Sequence, residues 1–299
     1  MSNFVGCCEI TIVDERKDLT FPMLAMYPTY IPSKPVTFGP YSLDVSIDAP
    51  VEDGSFPLVM ISHGSGGSNL AYRTLGMHLA KNGFVVCLPE HPFNNRNNNA
   101  LEGSIENMID RPRHISLAIN NILSNDRFKK FLQMDNVAVI GHSMGGYTAL
   151  ALTGGIPHTK HQINYEPTCK IHSQQIDVVS DSRIKAVVLF APAAGWFMSD
   201  GALRNVHIPV LMFTAEHDEF TPYFHAEIIM NGISGSSQLS HRVVKNAGHF
   251  SFLGSFPESI KHQVGAPAKD PKDFDRDKFH QELNFEVLEF LQKTLVIDG

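Results

Sequence analysis

Cysteine is scarce in this chain, with four in 299 residues. Cys7 and Cys8 are neighbours, so on a strand they point to opposite faces, and Cys87 and Cys169 stand far from them. No Cys-x-x-Cys pair occurs, which argues against a disulfide framework and a zinc site. Nothing in the sequence asks for a metal or another cofactor, and none is expected. Long apolar runs are also missing. None approaches the roughly 18 residues needed to span a bilayer, and Met1–Glu9 lacks a basic segment followed by an apolar one. No export signal or membrane insertion is therefore expected, and a cytoplasmic location is the default. Positive charge is in deficit, with 24 Lys and Arg against 31 Asp and Glu, a net charge of −7. A nucleic-acid binder needs a basic surface to displace counterions, so that partner is not expected.

What remains is globular. Hydrophobic residues make up 43% and charged residues 18%, enough for a sizeable core and unlike disordered or coiled-coil chains. A single domain over 1–299 is expected, because layered α/β enzymes commonly place this length on one sheet. The fifteen histidines would gain charge near pH 6.5 and read as a surface property rather than a metal signal, with most individual rings at the surface or in the core.

Along the chain, Glu9–Val13 alternates at period two within two extended segments over 8–27. Pro28 to Pro50 reads as connection with one further edge strand. From Pro57 the pattern changes. Leu58–Ile61, Phe84–Leu88, Val137–Ile140, Ala186–Phe190 and Val210–Phe213 are continuous apolar runs, as strands buried on both faces should be. Helical segments separate them, over Tyr72–Lys81, from Asp110 and Pro112 onward, and near 146–153 and 223–232. In the second of these, Ile115, Ala118, Ile119 and Ile122 fall on one stripe. A C-terminal helix over 276–294 should bury Phe279, Leu283, Val287 and Leu291. The alternation predicts an α/β fold with a mostly parallel central sheet of about eight strands, flanked by helices. Residues 155–182 would form a cap-like insertion. In such sheets ligands gather at the carboxyl ends of the strands, so the loops there are where chemistry belongs.

The loop after the Val137–Ile140 strand reads Gly141-His142-Ser143-Met144-Gly145-Gly146. This is Gly-x-Ser-x-Gly between a buried strand and a helix, the arrangement of a nucleophile elbow. The turn is so sharp that the serine backbone is strained, and strand and helix approach too closely for side chains at Gly141 and Gly145. A serine hydroxyl needs a base, and the base an orienting acid. Asp218 follows the Val210–Phe213 strand, and His249 follows the extended segment Arg242–Val244, in the chain order Ser, Asp, His. Glu216 lies nearer its strand and is a weaker candidate for the acid. His217 adjoins Asp218 and cannot face it productively, and His241 begins its strand at the wrong end. Acyl transfer also needs two donors for an oxyanion. The amides of Met144 and of Ser65, in the loop Ser62-His63-Gly64-Ser65-Gly66-Gly67-Ser68, are the expected pair.

At these residues the chain resembles the α/β-hydrolase superfamily. Within it, it is similar to the platelet-activating-factor acetylhydrolase and predicted dienelactone hydrolase group, and more distantly to bacterial cutinases. The likeness rests on Ser62–Gly67, Asn82–Val86, Glu90-His91-Pro92, Arg111-Pro112-Arg113, Gly141–Gly146 and Ala247–Phe250. It implies Ser143 as nucleophile, Asp218 as acid and His249 as base, with Ser65 and Met144 amides at the oxyanion. Two departures matter. Dienelactone hydrolases themselves use a cysteine nucleophile where this chain has Ser143, and the group often carries an aspartate where this chain has His114.

Trp196, Phe197, Phe93 and Phe250 are candidates for the substrate pocket. The 155–182 insertion is polar and shows no membrane-seeking face. Cys169 within it reads as a free thiol. The expected activity is hydrolysis of short to medium acyl esters through an acyl-enzyme, on a small-molecule substrate. An amidase or peptidase would use the same triad, and a non-catalytic binding protein of the same fold is the alternative from another class. Nothing in the sequence sets the oligomeric state.

Overall fold

A computed structural model describes residues 4–159, 173–233, 235 and 238–295. Its strands are β1 (Phe4–Asp14), β2 (Leu19–Thr29), β3 (Lys34–Phe38), β4 (Tyr41–Ile47), β5 (Phe56–Ser62), β6 (Val85–Pro89), β7 (Leu132–His142), β8 (Ile184–Phe190), β9 (Val210–Ala215) and β10 (Leu239–Val244). Helices are α1 (Arg73–Lys81), α2 (Ile105–Ser124), α3 (Met144–Leu152), α4 (Phe224–Gly232), α5 (Glu258–Val264) and α6 (Arg276–Leu295). The strands form one sheet in the order β10-β9-β8-β7-β5-β6-β2-β1-β4-β3.

From β10 to β6 all neighbours are parallel. The antiparallel β1–β2 hairpin then extends the sheet beyond β6. Every residue of β5, β6, β8 (except Lys185) and β9 is buried, as continuous apolar runs between two helical layers require. The sheet has ten strands among the described residues rather than about eight. The Pro-rich stretch hides a short hairpin, β3–β4, paired from Lys34↔Val45 to Phe38↔Tyr41. Its half-exposed alternation gives a weak pattern, and its prolines mask it further.

One core cluster lies under α2, α3 and α4, the other under α1 and α6. The expected stripes are buried in both: Ile115, Ala118, Ile119 and Ile122 on α2, and Phe279, Leu283, Val287 and Leu291 on α6.

The start of α2 differs from expectation. The helix begins at Ile105, capped by the Ser104 hydroxyl on the Asn107 amide, so Asp110 and Pro112 lie inside it. An internal proline removes the amide that would serve the carbonyl four residues back. That carbonyl belongs to Met108, and the buried Tyr147 hydroxyl donates to it at 3.3 Å. A tertiary partner thus replaces the missing local bond.

The chain leaves β5 for β6 on one side and then returns to β7 on the other. Loops at the ends of β5 and β7 therefore diverge, opening a crevice at the carboxyl end of the sheet.

Candidate active site

Ser143 stands at that crevice, between the end of β7 and the first residue of α3. Its backbone is at φ 54° and ψ −116°, outside the regions a side chain ordinarily tolerates. Close packing enforces the strain. A Cβ added at Gly141 would overlap the Gly145 carbonyl oxygen, and one added at Gly145 would overlap that of Ser62. The turn is further tied to β8. The Ser143 amide donates to the Phe190 carbonyl at 3.0 Å, and its carbonyl accepts from Ala193 at 2.9 Å.

On the far side of the crevice, the loops after β9 and β10 carry Asp218 and His249. His249 Nδ1 lies 2.9 and 3.0 Å from the two Asp218 oxygens. An ionised carboxylate only accepts hydrogen bonds, so Nδ1 bears the proton and Nε2 is left as the basic nitrogen. Asp218 is itself held by the Thr221 amide at 2.7 Å, the Phe220 amide at 2.8 Å and the Thr221 hydroxyl at 2.8 Å. Burial pushes its pKa up, but the bonds from His249 and Thr221 outweigh that, holding the carboxyl below its ordinary range. Glu216 turns instead toward the surface, accepting from the Asn246 amide at 2.9 Å and facing Lys245 at 3.1 Å. His217 donates its amide to Ala247, and His241 meets Thr214 at 2.9 Å.

His142, the second residue of the elbow motif, reaches across the crevice. Its Nε2 is 3.0 Å from the His249 carbonyl oxygen, and the two rings lie 4.8 Å apart. Burial, with the adjoining His249 imidazole, lowers its pKa to about 3. The ring is therefore neutral at pH 7 and donates through Nε2 to hold the loop that carries His249. The sequence offered no signal for this role, because the position is free in the elbow pattern.

The Ser62–Ser68 loop flanks the elbow closely. A Cβ on Gly64 would sit 3.2 Å from the Ser143 Cβ. The Gly67 amide closes the loop on the Gly64 carbonyl at 3.1 Å. The Ser65 hydroxyl is fixed by Asn94 at 2.9 Å and Glu102 at 3.2 Å. Met144 opens α3, so its amide has no acceptor within the helix.

Ser143, Ser65, His142 and His249 all line one cavity of about 380 Å³. Its walls include Tyr41, Tyr72, Phe250 and Phe256, with Gln263, Val264 and Arg96. Of the aromatic residues expected at the pocket, Phe250 lines it. Trp196 and Phe197 do not. They pack on the buried Tyr147 ring at 5.3 and 5.5 Å, on the other side of the elbow helix. Phe93 is 42% exposed and outside the cavity lining. The wall residues Gln263 and Val264 come from α5, which buries none of its own residues and so shows no apolar period. Residues 160–172 of the cap-like insertion, with Cys169, lie outside the described residues.

Histidine is not confined to the surface. His63, His91, His114, His142 and His249 are buried, His63 within the Ser62–Ser68 loop and His91 and His114 in a row beside it. Among the described residues no group of three or more His, Cys, Asp or Glu could hold a metal ion. No helix of the described residues is long and apolar enough to cross a membrane.

Comparison with known proteins bears on the fold and the kind of enzyme. The family model described as Chlorophyllase matches residues 31–172, a span that includes the elbow. The chain is 24% identical to the cutinase Est1 of Thermobifida alba over 68% of its own length and 56% of that protein. It is 26% identical to platelet-activating factor acetylhydrolase of Canis lupus familiaris over 38% of this chain and 35% of that one. The chain thus spans about half, or less, of the curated relatives named. Among solved structures, ferulic acid esterase from Streptomyces cinnamoneus aligns with a TM-score of 0.71 at 16% identity, over 99% of this chain and 91% of that one. The parallel sheet, the Gly-x-Ser-x-Gly elbow between β7 and α3, and the structural likeness show an α/β-hydrolase fold, and the sequence likenesses are to proteins named as cutinase and acetylhydrolase.

Proposed function

We propose that this protein is a serine hydrolase that cleaves carboxylic esters through an acyl-enzyme, on small molecules with short to medium acyl groups. Ser143 attacks the ester carbonyl, and His249 Nε2 takes its proton. Asp218 fixes the imidazole and stabilises its charged form, and the amides of Ser65 and Met144 hold the oxyanion. His249 then returns the proton to the departing alcohol, and water repeats the sequence to release the acid. One observation carries this reading: a strained serine and an Asp-anchored histidine open on the same cavity.

The cavity, about 380 Å³ with Tyr41, Tyr72, Phe250 and Phe256 in its walls, suits a small apolar acyl or alcohol group. Cutinase and ferulic acid esterase are ester hydrolases by name, which favours an ester over an amide. The test begins with a fluorophosphonate probe. Stoichiometric labelling of the wild type, absent in Ser143→Ala, is expected, and kcat on p-nitrophenyl esters should fall roughly 10⁴- to 10⁶-fold in that variant. A folded wild type that takes no label and hydrolyses no ester would leave a binding protein. Turnover of amides well above esters would move the reading to an amidase.

A further inference from the structure

Arg111 is completely buried, and the triad chemistry makes no use of it. Its guanidinium reaches three separate parts of the site. Nη2 donates to the His63 carbonyl and lies 3.3 Å from the Ser62 hydroxyl, both at the base of the glycine loop. Nη1 donates to Asn94 Oδ1 at 2.6 Å, and Nε to the Thr148 hydroxyl on α3 at 3.0 Å. All four partners are neutral, and among the described residues no carboxylate is paired with Arg111. Burying a cation without a counter-charge is costly, and a clamp on neutral oxygens has no need of charge. Burial lowers its pKa to about 9, so it remains a cation at pH 7.

The grip continues through His63. The His91 amide donates to His63 Nε2 at 3.0 Å, so that nitrogen is unprotonated. Nδ1 therefore carries the hydrogen and donates it to the Gly64 carbonyl at 2.7 Å. Two successive carbonyls, those of His63 and Gly64, are thus held from the protein side. Across a trans peptide the N–H points opposite to the C=O. The amides of Gly64 and Ser65 are turned away from Arg111 and His63, and Gly64 lies against Ser143.

We propose that Arg111 is a positioning residue of the oxyanion hole, gripping the glycine loop from behind and placing an unneutralised positive charge at its back. The loop is thereby set before substrate arrives, and the charge favours the tetrahedral intermediate, whose oxygen is anionic, over the neutral ester. This rests on the serine-hydrolase reading above. Because the effect belongs to the transition state, it should appear in kcat and leave KM nearly alone.

The experiment compares the wild type with Arg111→Lys and Arg111→Ala on p-nitrophenyl butyrate, with circular dichroism and thermal melting to establish that each variant is folded. Arg111→Ala should lose roughly 10²-fold or more in kcat, with KM within about threefold, and fluorophosphonate labelling should slow in parallel. Arg111→Lys keeps the charge without the fork and should fall between the two. Guanidinium ion at non-denaturing millimolar concentration should restore part of the Arg111→Ala rate and leave Arg111→Lys unchanged. A folded Arg111→Ala or Arg111→Lys with wild-type kcat would overturn the proposal, as would a loss confined to KM. Should Arg111→Ala fail to fold, the kcat-to-KM split of Arg111→Lys decides. If the wild type itself neither hydrolyses esters nor labels, the serine-hydrolase reading has failed instead.

Discussion

The two walls of the crevice are built on different principles. The wall formed by the loops after β5 and β7 is fixed by backbone lying on backbone. Gly145 meets the Ser62 carbonyl and Gly141 meets Gly145, with the Arg111 and His63 side chains added behind to hold two carbonyls. The wall formed by the loops after β9 and β10 is held by side chains, with Asp218 accepting from Thr221, Phe220 and His249. The difference teaches where each wall is vulnerable. Steric additions should ruin the first, whereas changes of hydrogen-bonding character should ruin the second.

Apart from removal of the nucleophile itself, the largest effect is expected on the side-chain wall. Asp218→Asn keeps the shape but offers His249 Nδ1 a donor as readily as an acceptor, so the imidazole loses its fixed tautomer. Steady-state kinetics should show kcat down about 10⁴-fold with the fold intact, while Glu216→Gln stays within about threefold of wild type. Comparable losses in both would dissolve the distinction between the two acids.

On the backbone wall, Gly145→Ala adds one methyl where the Ser62 carbonyl already stands. The elbow cannot close without moving β5 from α3. A loss of about 3 kcal/mol in urea unfolding is expected, at the upper end of overpacking costs, together with loss of fluorophosphonate labelling. A stable, active Gly145→Ala would show that the wall yields.

The smallest effect concerns acid. His63, His114 and His142 are each lowered to about 3 by burial, His63 also by Arg111 and His114 also by Arg113. In the unfolded chain these rings take up protons near pH 6.5. Between about pH 6.5 and 3 the unfolded state therefore binds more protons, so stability falls as pH falls through that window. Each such ring costs about 2 kcal/mol at pH 5 relative to neutral pH. Among the described residues His114 Nε2 has no hydrogen-bond partner, and its ring packs on Phe21 at 5.0 Å, so His114→Phe is the apt probe. Urea unfolding at pH 7 and pH 5 should show a smaller difference for the variant than for the wild type, by about that amount. Equal differences would mean that the ring titrates in the folded protein.

What the sequence made legible follows the same division. Strands β5 to β9 were visible because burial on both faces leaves uninterrupted apolar runs. Ser143, Asp218 and His249 could be placed on loops at strand ends because chain order and strand position restrict such residues to a few sites. Features set by distant partners were not visible. Pro112 resembled a helix start because its substitute donor, the Tyr147 hydroxyl, stands 35 residues further along the chain. Trp196 and Phe197 looked like pocket walls because nothing local reveals that Tyr147 receives them. Arg111 drew no attention as an ionic group because its partners are neutral. Which histidines are buried was not visible, because composition carries no burial. Helix α5 was missed because a segment with no buried face has no period to detect.

The glycine contacts at the elbow also govern how this protein can diversify. No side chain can enter at either end of that turn, so the reacting oxygen is held wherever β5, β7 and α3 put it. Tyr41 opens a hairpin strand near the far edge of the sheet, and Gln263 and Val264 sit on a helix anchored by little. Those outlying pieces can be exchanged without disturbing the turn. New substrates would accordingly be acquired by redecorating the periphery around an unchanged reaction centre.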